Sequence, residues 1–246
     1  MLLKLYFIVI ILYFITFAIR LLKRRRGELF IALLATVSNG VILTLIFLQS
    51  GHIPVFNVFE SFLSVVFIMG ILGLFSVAPT LYADNIRLTV WLEIVVLFGV
   101  TVFFPKEPTF STYNYGYIYI ILFYLFRYIA LALMLYCSAY FIQFIMRKER
   151  DERTILLSHQ GRNFLLLGTV IFLMSEYTGI IWCQMGWGDF WSWSNNFFQS
   201  SFIVLYLMLA FHLPGKGRFS EDIKAIIGGL AGFVLLTLTI VRSFSG

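Results

Sequence analysis

Charge is what this chain has least of. Asp, Glu, Lys and Arg make up 12% of its 246 residues, about half the share usual in a soluble domain. A soluble protein carrying one anchoring helix is thereby excluded. Cysteine is scarcer still: Cys137 and Cys183 lie in different segments, with no CxxC, CxxCH or zinc-type spacing, which argues against thiol redox chemistry and zinc binding. Histidine occurs three times, and no HExxH, Walker loop, GxGxxG or Ser-His-Asp spacing accompanies it. The usual hydrolytic and nucleotide-dependent chemistries have no foothold.

Apolar sequence fills the space that charge leaves. Hydrophobic residues are 61% of the chain, and a membrane-crossing helix needs about 20 of them in a row. Eight runs qualify as candidate spans, at 2–22, 29–49, 60–81, 88–104, 117–146, 163–183, 199–213 and 223–243. The expectation is an all-α, polytopic membrane helix bundle of about eight transmembrane helices, forming a single integral membrane domain over 1–246. The first run is followed by basic residues and has no small-residue cleavage site, so it reads as a retained helix. The fifth is long enough to project beyond the membrane.

The net charge of +6 does not point to nucleic acid, because it is confined to short loops between apolar runs. "KRRR" (23–26), "IR" (86–87), "RKERDER" (147–153) and "PGKGR" (214–218) alternate with "SGHIPVFNVFE" (50–60), "FPKEPTFSTYNYG" (104–116) and a tryptophan-rich stretch. The second set carries a single loop lysine, Lys106. The positive-inside rule puts the first set in the cytoplasm and both termini outside. A cell inner (plasma) membrane location follows.

Four of the five tryptophans stand in "WCQMGWGDFWSWSNNFF" (182–198): Trp182, Trp187, Trp191 and Trp193. An interfacial aromatic belt is spread around a protein, whereas this is one dense cluster. Gly186 and Gly188 interrupt it, which suits a re-entrant or surface helix packed on the bundle.

The pattern Gly179, Trp182, Trp187, Gly188, Trp191, Trp193 resembles the WWD domain of the haem-handling proteins of cytochrome c biogenesis, the CcsA/ResC and CcmC group. "SGHIPVFNVFES" (50–61) is similar to the segment after the second helix of CcsA-type proteins. "FHLPGKGR" (211–218) and "VRSFSG" (241–246) stand where that family has an intramembrane histidine and "LHSYG". The likeness runs from about residue 30 to 246, with the WWD-like segment at 179–198.

The resemblance implies a protein that binds haem b as cargo at the outer face. Alongside a CcsB/ResB-like membrane partner, which carries the large outer domain this chain lacks, such a protein presents haem for attachment to apocytochrome c. Any enzymatic role is at most that of one part of a haem lyase complex. Tryptophan faces suit the flat macrocycle, and indole N–H groups suit its carboxylate edge.

Two departures bear on this function. The family's outer iron-ligating histidines are replaced by Arg127 and Arg242, and "WSWDPKE" becomes "WSWSNNF", with Ser194 at the acidic position. Guanidinium has no lone pair for a metal, so these arginines would hold propionates or another anion instead. Arg242 also reads as a snorkelling residue at a helix end. Arg127 lies well inside a span and needs a partner; Glu60, Glu176 and Asp189 are the candidates. His52 and His212 remain as candidate iron ligands, each with a plainer reading, as a loop or interface residue. His159 reads as a solvated loop residue, and Glu93 as isolated. Gly228 and Gly232 form a GxxxG packing signal. The alternative function is a divergent CcsA-like subunit that has lost haem ligation and serves as a scaffold or binds another amphiphile, a quinone or a lipid. Eight spans without an inverted repeat argue against a transporter.

Overall fold

The structure, a computed structural model, describes residues 2–22, 25–76, 82–107, 109, 117–147, 151–188, 195–213 and 218–245, with backbone alone at 25–26, 186–187, 195–197, 218–220 and 242–245. Eight helices occur among them. They are α1 (Leu2–Leu21), α2 (Arg25–Ser50), α3 (Val58–Leu74), α4 (Ala83–Thr101), α5 (Ile118–Met146), α6 (Glu152–Trp187), α7 (Asn195–His212) and α8 (Arg218–Ser245). The expected all-helical class is observed, and the chain is a membrane protein. Five helices are long and apolar enough to cross a bilayer: α1, α2, α5, α6 and α8. Two more, within α3 and α7, are apolar but shorter. α4 carries Asp84, Arg87 and Glu93 in its 19 residues.

The helices divide into two compact units, residues Met1–Gly116 and Tyr117–Gly246. In the first unit α1 packs on α2, α2 on α3, α3 on α4 and α4 on α1, which closes a four-helix ring. Its interior is built from large aromatics with their polar atoms satisfied, as burial requires. Tyr6 bonds Thr101 at 2.6 Å, Tyr13 bonds Thr36 at 3.2 Å, and Trp91 Nε1 donates to Glu28 Oε1 at 2.9 Å.

In the second unit α5 is the central element. It packs on α6 and α8, and every residue from Ala130 to Phe141 is buried. The GxxxG glycines of α8 meet it directly. A Cβ on Gly232 would lie 2.7 Å from the Leu135 backbone nitrogen, and one on Gly228 would lie 2.8 Å from the Phe141 ring. Backbones this close leave room only for hydrogen. α7 packs on α8.

The element ends correct three sequence expectations. "IR" (86–87) is not a loop: α4 begins at Ala83, and Arg87 is buried within its first turns. His159 is exposed but helical, because α6 starts eleven residues earlier than the apolar run. The cause is a cap the hydropathy cannot show: Asp151 accepts from the Thr154 amide at 2.8 Å, satisfying a donor that a helix start leaves open. α6 also runs through Gly186 to Trp187, so the first two clustered tryptophans end a long helix rather than lie in a separate surface one. Gly188 stops it with φ of 66°, donating its N–H to Gln184 O at 3.1 Å, the left-handed cap that glycine adopts without strain.

Candidate functional site

The second unit holds most of the singled-out residues. Tyr117 Oη bonds Met185 Sδ at 3.3 Å, which sets the start of α5 beside the end of α6. Trp182 is half-buried there, its ring tilted 38° to Phe123 at 6.2 Å between centroids. Trp187 has its backbone on the last turn of α6; its side chain, and all of Asp189, Trp191, Trp193 and Ser194, lie outside the described residues. Arg242 is on α8, its side chain likewise outside them.

Arg127 has its partner in Glu176. Nη1 donates to Oε1 at 3.1 Å, and Arg127 is 4% exposed. The guanidinium lies 5.3 Å from the Phe123 ring centre and 5.4 Å from that of Phe172, so its faces meet aromatic π-density while its edge meets the carboxylate. A rise of 1.5 Å per residue puts this pair about 15 Å along the helices from the tryptophan-bearing end, about half the thickness of a bilayer's hydrocarbon core. Of the three carboxylates suggested by the sequence, Glu176 bonds Arg127, Glu60 belongs to the other unit, and Asp189 lies outside the described residues.

Glu60 is occupied elsewhere, in the first unit. It accepts from the Phe56 amide at 3.1 Å, from Asn57 Nδ2 at 3.2 Å and from the Thr109 amide at 2.7 Å. Asn57 Oδ1 caps α3 through the Glu60 amide at 2.7 Å. This reciprocal cap makes "SGHIPVFNVFES" a self-bonded corner. Ser61 Oγ donates to Val55 O and Ser64 Oγ to Pro54 O, and Gly51 turns the chain out of α2 at φ 73°.

His52 is buried in that corner. Its Nδ1 faces Ile53 O at 3.0 Å and its Nε2 faces Thr109 O at 2.6 Å. Carbonyls only accept, and one stands against each ring nitrogen. In this arrangement both nitrogens are covered, and neither is open to a metal. A ligand role for His52 requires release of Thr109.

His212 differs in this respect. It is exposed on the last turn of α7, with Nδ1 2.8 Å from Met208 O. Because that carbonyl can only accept, Nδ1 carries the hydrogen and Nε2 keeps its lone pair, the arrangement a metal-binding histidine uses. Phe211, the preceding residue, lines a pocket of about 40 Å³ together with Ser158, Arg162, Glu221 and Lys224. Arg162 and Lys224 give that pocket two cations; Lys224 pairs with Glu221 at 3.4 Å.

A second, larger cavity of about 380 Å³ opens between α6 and α7, lined by Leu173, Glu176, Ile180, Ser200, Ser201, Val204 and Leu205. α7 is held by α8, and its side towards α6 stands open. Neither Arg162 nor Lys224 was singled out from the sequence, each standing beside or at the edge of an apolar run. Ser200 was missed because a single serine in an apolar run carries no signal.

Sequence reasoning also missed a charge network in the first unit. Arg20 bonds Glu28 at 3.0 Å and Asp84 at 3.1 Å, and Arg87 lies 3.7 Å from Asp84. Glu28 is fully buried. Glu93, read as isolated, is buried on the same helix as Asp84 and Arg87. The network joins the end of α1 to the starts of α2 and α4, and its one signal in the sequence was the presence of acids next to basic loops. Among the described residues no group of three or more His, Cys, Asp or Glu gathers as a metal site. Comparison with protein-family models and with curated proteins finds no match.

Proposed function

We propose that this chain is a haem-handling membrane protein of the CcsA type, which holds haem b as cargo and presents it for attachment to apocytochrome c with a CcsB/ResB-like partner. All eight helices would cross the inner membrane, with both termini and the tryptophan-rich segment outside. The observation that carries this reading is His212. Its Nε2 is exposed and keeps a lone pair, and its sequence neighbour Phe211 lines a pocket bearing Arg162 and Lys224. An imidazole and two cations form the donor set that a macrocycle with two carboxylates calls for. The pocket has room for a carboxylate-sized group, so the ring itself would lie along the exposed face of α7. Trp182, with Trp187, Trp191 and Trp193 following in sequence, supplies aromatic faces for a second, outer station.

The test is a pyridine haemochrome assay and absorbance spectrum on detergent-purified chain expressed with haem supplied. Stoichiometric b-type haem is expected, with a Soret band that His212→Ala shifts or removes. A protein that stays colourless and takes up no added haem would overturn the reading.

Two observations favour the alternative, a divergent subunit that has lost haem ligation. Both nitrogens of His52 face carbonyl oxygens, and Arg127 is engaged by Glu176. Two of the residues expected to meet haem at the outer face are thus occupied within their own units.

A further inference from the structure

The α6–α7 crevice has features that the haem reading does not use. It measures about 380 Å³, within the range of small-molecule sites. Its walls are aliphatic: Leu173 and Ile180 on α6, Val204 and Leu205 on α7. Its polar groups are few, and two of them are telling. Glu176 brings a carboxylate already neutralised by Arg127. Ser200 is 4% exposed, and its Oγ has no hydrogen-bond partner. A buried hydroxyl without a partner costs about 1–3 kcal/mol. A helical serine normally relieves this by bonding back to the carbonyl four residues earlier, as Thr169 and Thr178 do in α6. Ser200 does not.

Depth and charge narrow the occupant. The helical rise sets Ser200 about 7 Å and Glu176 about 16 Å from the tryptophan-bearing end, within the hydrocarbon layer if α6 and α7 span. A phospholipid keeps its head group at the surface, and a phosphate would find no net positive charge here. Haem would have to carry its carboxylates to a place where the one arginine is already paired. A neutral, membrane-dissolved molecule with a hydrogen-bonding oxygen at the depth of Ser200 meets both conditions. We propose that this crevice binds an isoprenoid quinone. A ring carbonyl accepts from Ser200 Oγ, the ring lies between Ile180 and Val204, and the branched tail leaves past Leu173 and Leu205 towards lipid. Only binding is inferred, and the inference stands independently of the haem reading.

The test uses the full chain in phosphatidylcholine nanodiscs with a short-tailed azido-ubiquinone as photoaffinity probe, competed by decylubiquinone. Saturable labelling is expected, mapping to peptides that contain 173–180 and 200–205. Ser200→Ala should weaken competition about three- to tenfold, the effect of one hydrogen bond. Val204→Trp, which fills the crevice from a partly exposed position, should abolish it. His212→Ala should leave it unchanged, so that loss of haem binding and loss of quinone binding are separable. Labelling that rises linearly with probe, maps elsewhere or survives Val204→Trp would overturn the proposal. So would a phospholipid or a partner's helix found tightly held in the crevice by native mass spectrometry.

Discussion

Arg127 and Glu176, 49 positions apart in the chain, meet Nη1 to Oε1 at 3.1 Å in the middle of the second unit. They hold α5 to α6 at the level where a bilayer would offer no water. Ser175 Oγ, donating to Phe123 O at 2.8 Å, adds a bond across the same interface. The rings of Phe123 and Phe172, centred 5.3 and 5.4 Å from the guanidinium carbon, help to shield the pair.

Removing one partner of such a pair strands the other. Glu176→Leu should cost about 3–5 kcal/mol, whereas Arg127→Met with Glu176→Leu should be far milder, because a matched apolar replacement leaves no uncompensated charge. Unfolding of the purified chain in mixed SDS micelles measures both. A double variant as unstable as the single one would show that the pair itself, rather than its desolvation, holds the helices.

In the first unit, burial rather than charge should rank the acids. Glu28 is fully buried against Arg20, while the Asp84 side chain is 40% exposed. Glu28→Leu should therefore cost about 3–5 kcal/mol, and Asp84→Asn about 1 kcal/mol or less. The same unfolding assay decides it, and equal losses would contradict the ranking.

Glycines in helices separate in the same way. Gly232→Ala drives a Cβ to 2.7 Å from the Leu135 nitrogen, whereas a Cβ on Gly99 meets nothing within 4 Å. The first change should destabilise by about 1–3 kcal/mol through overpacking against backbone. The second should stabilise by up to about 1 kcal/mol, the usual gain of alanine over glycine in a helix. Apparent melting temperatures should move in opposite directions.

The start of α6 should respond to acid. Hydrogen bonds from the Thr154 side chain and amide hold the Asp151 carboxyl below its ordinary value of 3.8. A depressed folded value means that the cap's contribution is present above the unfolded value and lost as pH falls through the folded one. Amide exchange at Thr154 and Ile155 should therefore speed up, relative to the intrinsic rate, below about pH 4. Asp151→Asn, which still caps but does not titrate, should remove the acid response; its persistence would assign it to another group.

Much of the architecture was legible in the sequence because apolar length is a one-dimensional property. Among the described residues each of the eight helices overlaps one of the eight hydrophobic runs, and α5 differs from its run by one residue at its start. Boundaries failed where local polar chemistry outweighed hydropathy. Asp151 extended α6 into a charged segment. The start of α4 took in Arg87, whose charge is balanced by Asp84 one turn away, so a single arginine that looks like a loop residue is part of a buried helix turn.

The candidate site was legible only in part. That Arg127 needed an acid follows from its position in an apolar run; which acid it found does not. Glu60 and Glu176 are alike as residues, and only folding shows that Glu60 is consumed by its own corner while Glu176 faces α5. The two histidines part for a similar reason. Nothing in the sequence says that Thr109 brings its carbonyl to His52 Nε2, or that Met208 leaves the Nε2 of His212 with its lone pair.

The sequence by itself determined that this is a helical membrane protein, because hydrophobic length and scarcity of charge are sums over neighbours in the chain. It also marked some of the polar residues that had to be accounted for inside it, Arg127 first among them. Tertiary structure alone decided their partners and their remaining capacity. In a medium without water each buried polar group must be satisfied by whichever group packing brings within about 3 Å. Those groups come from other helices, tens of residues away.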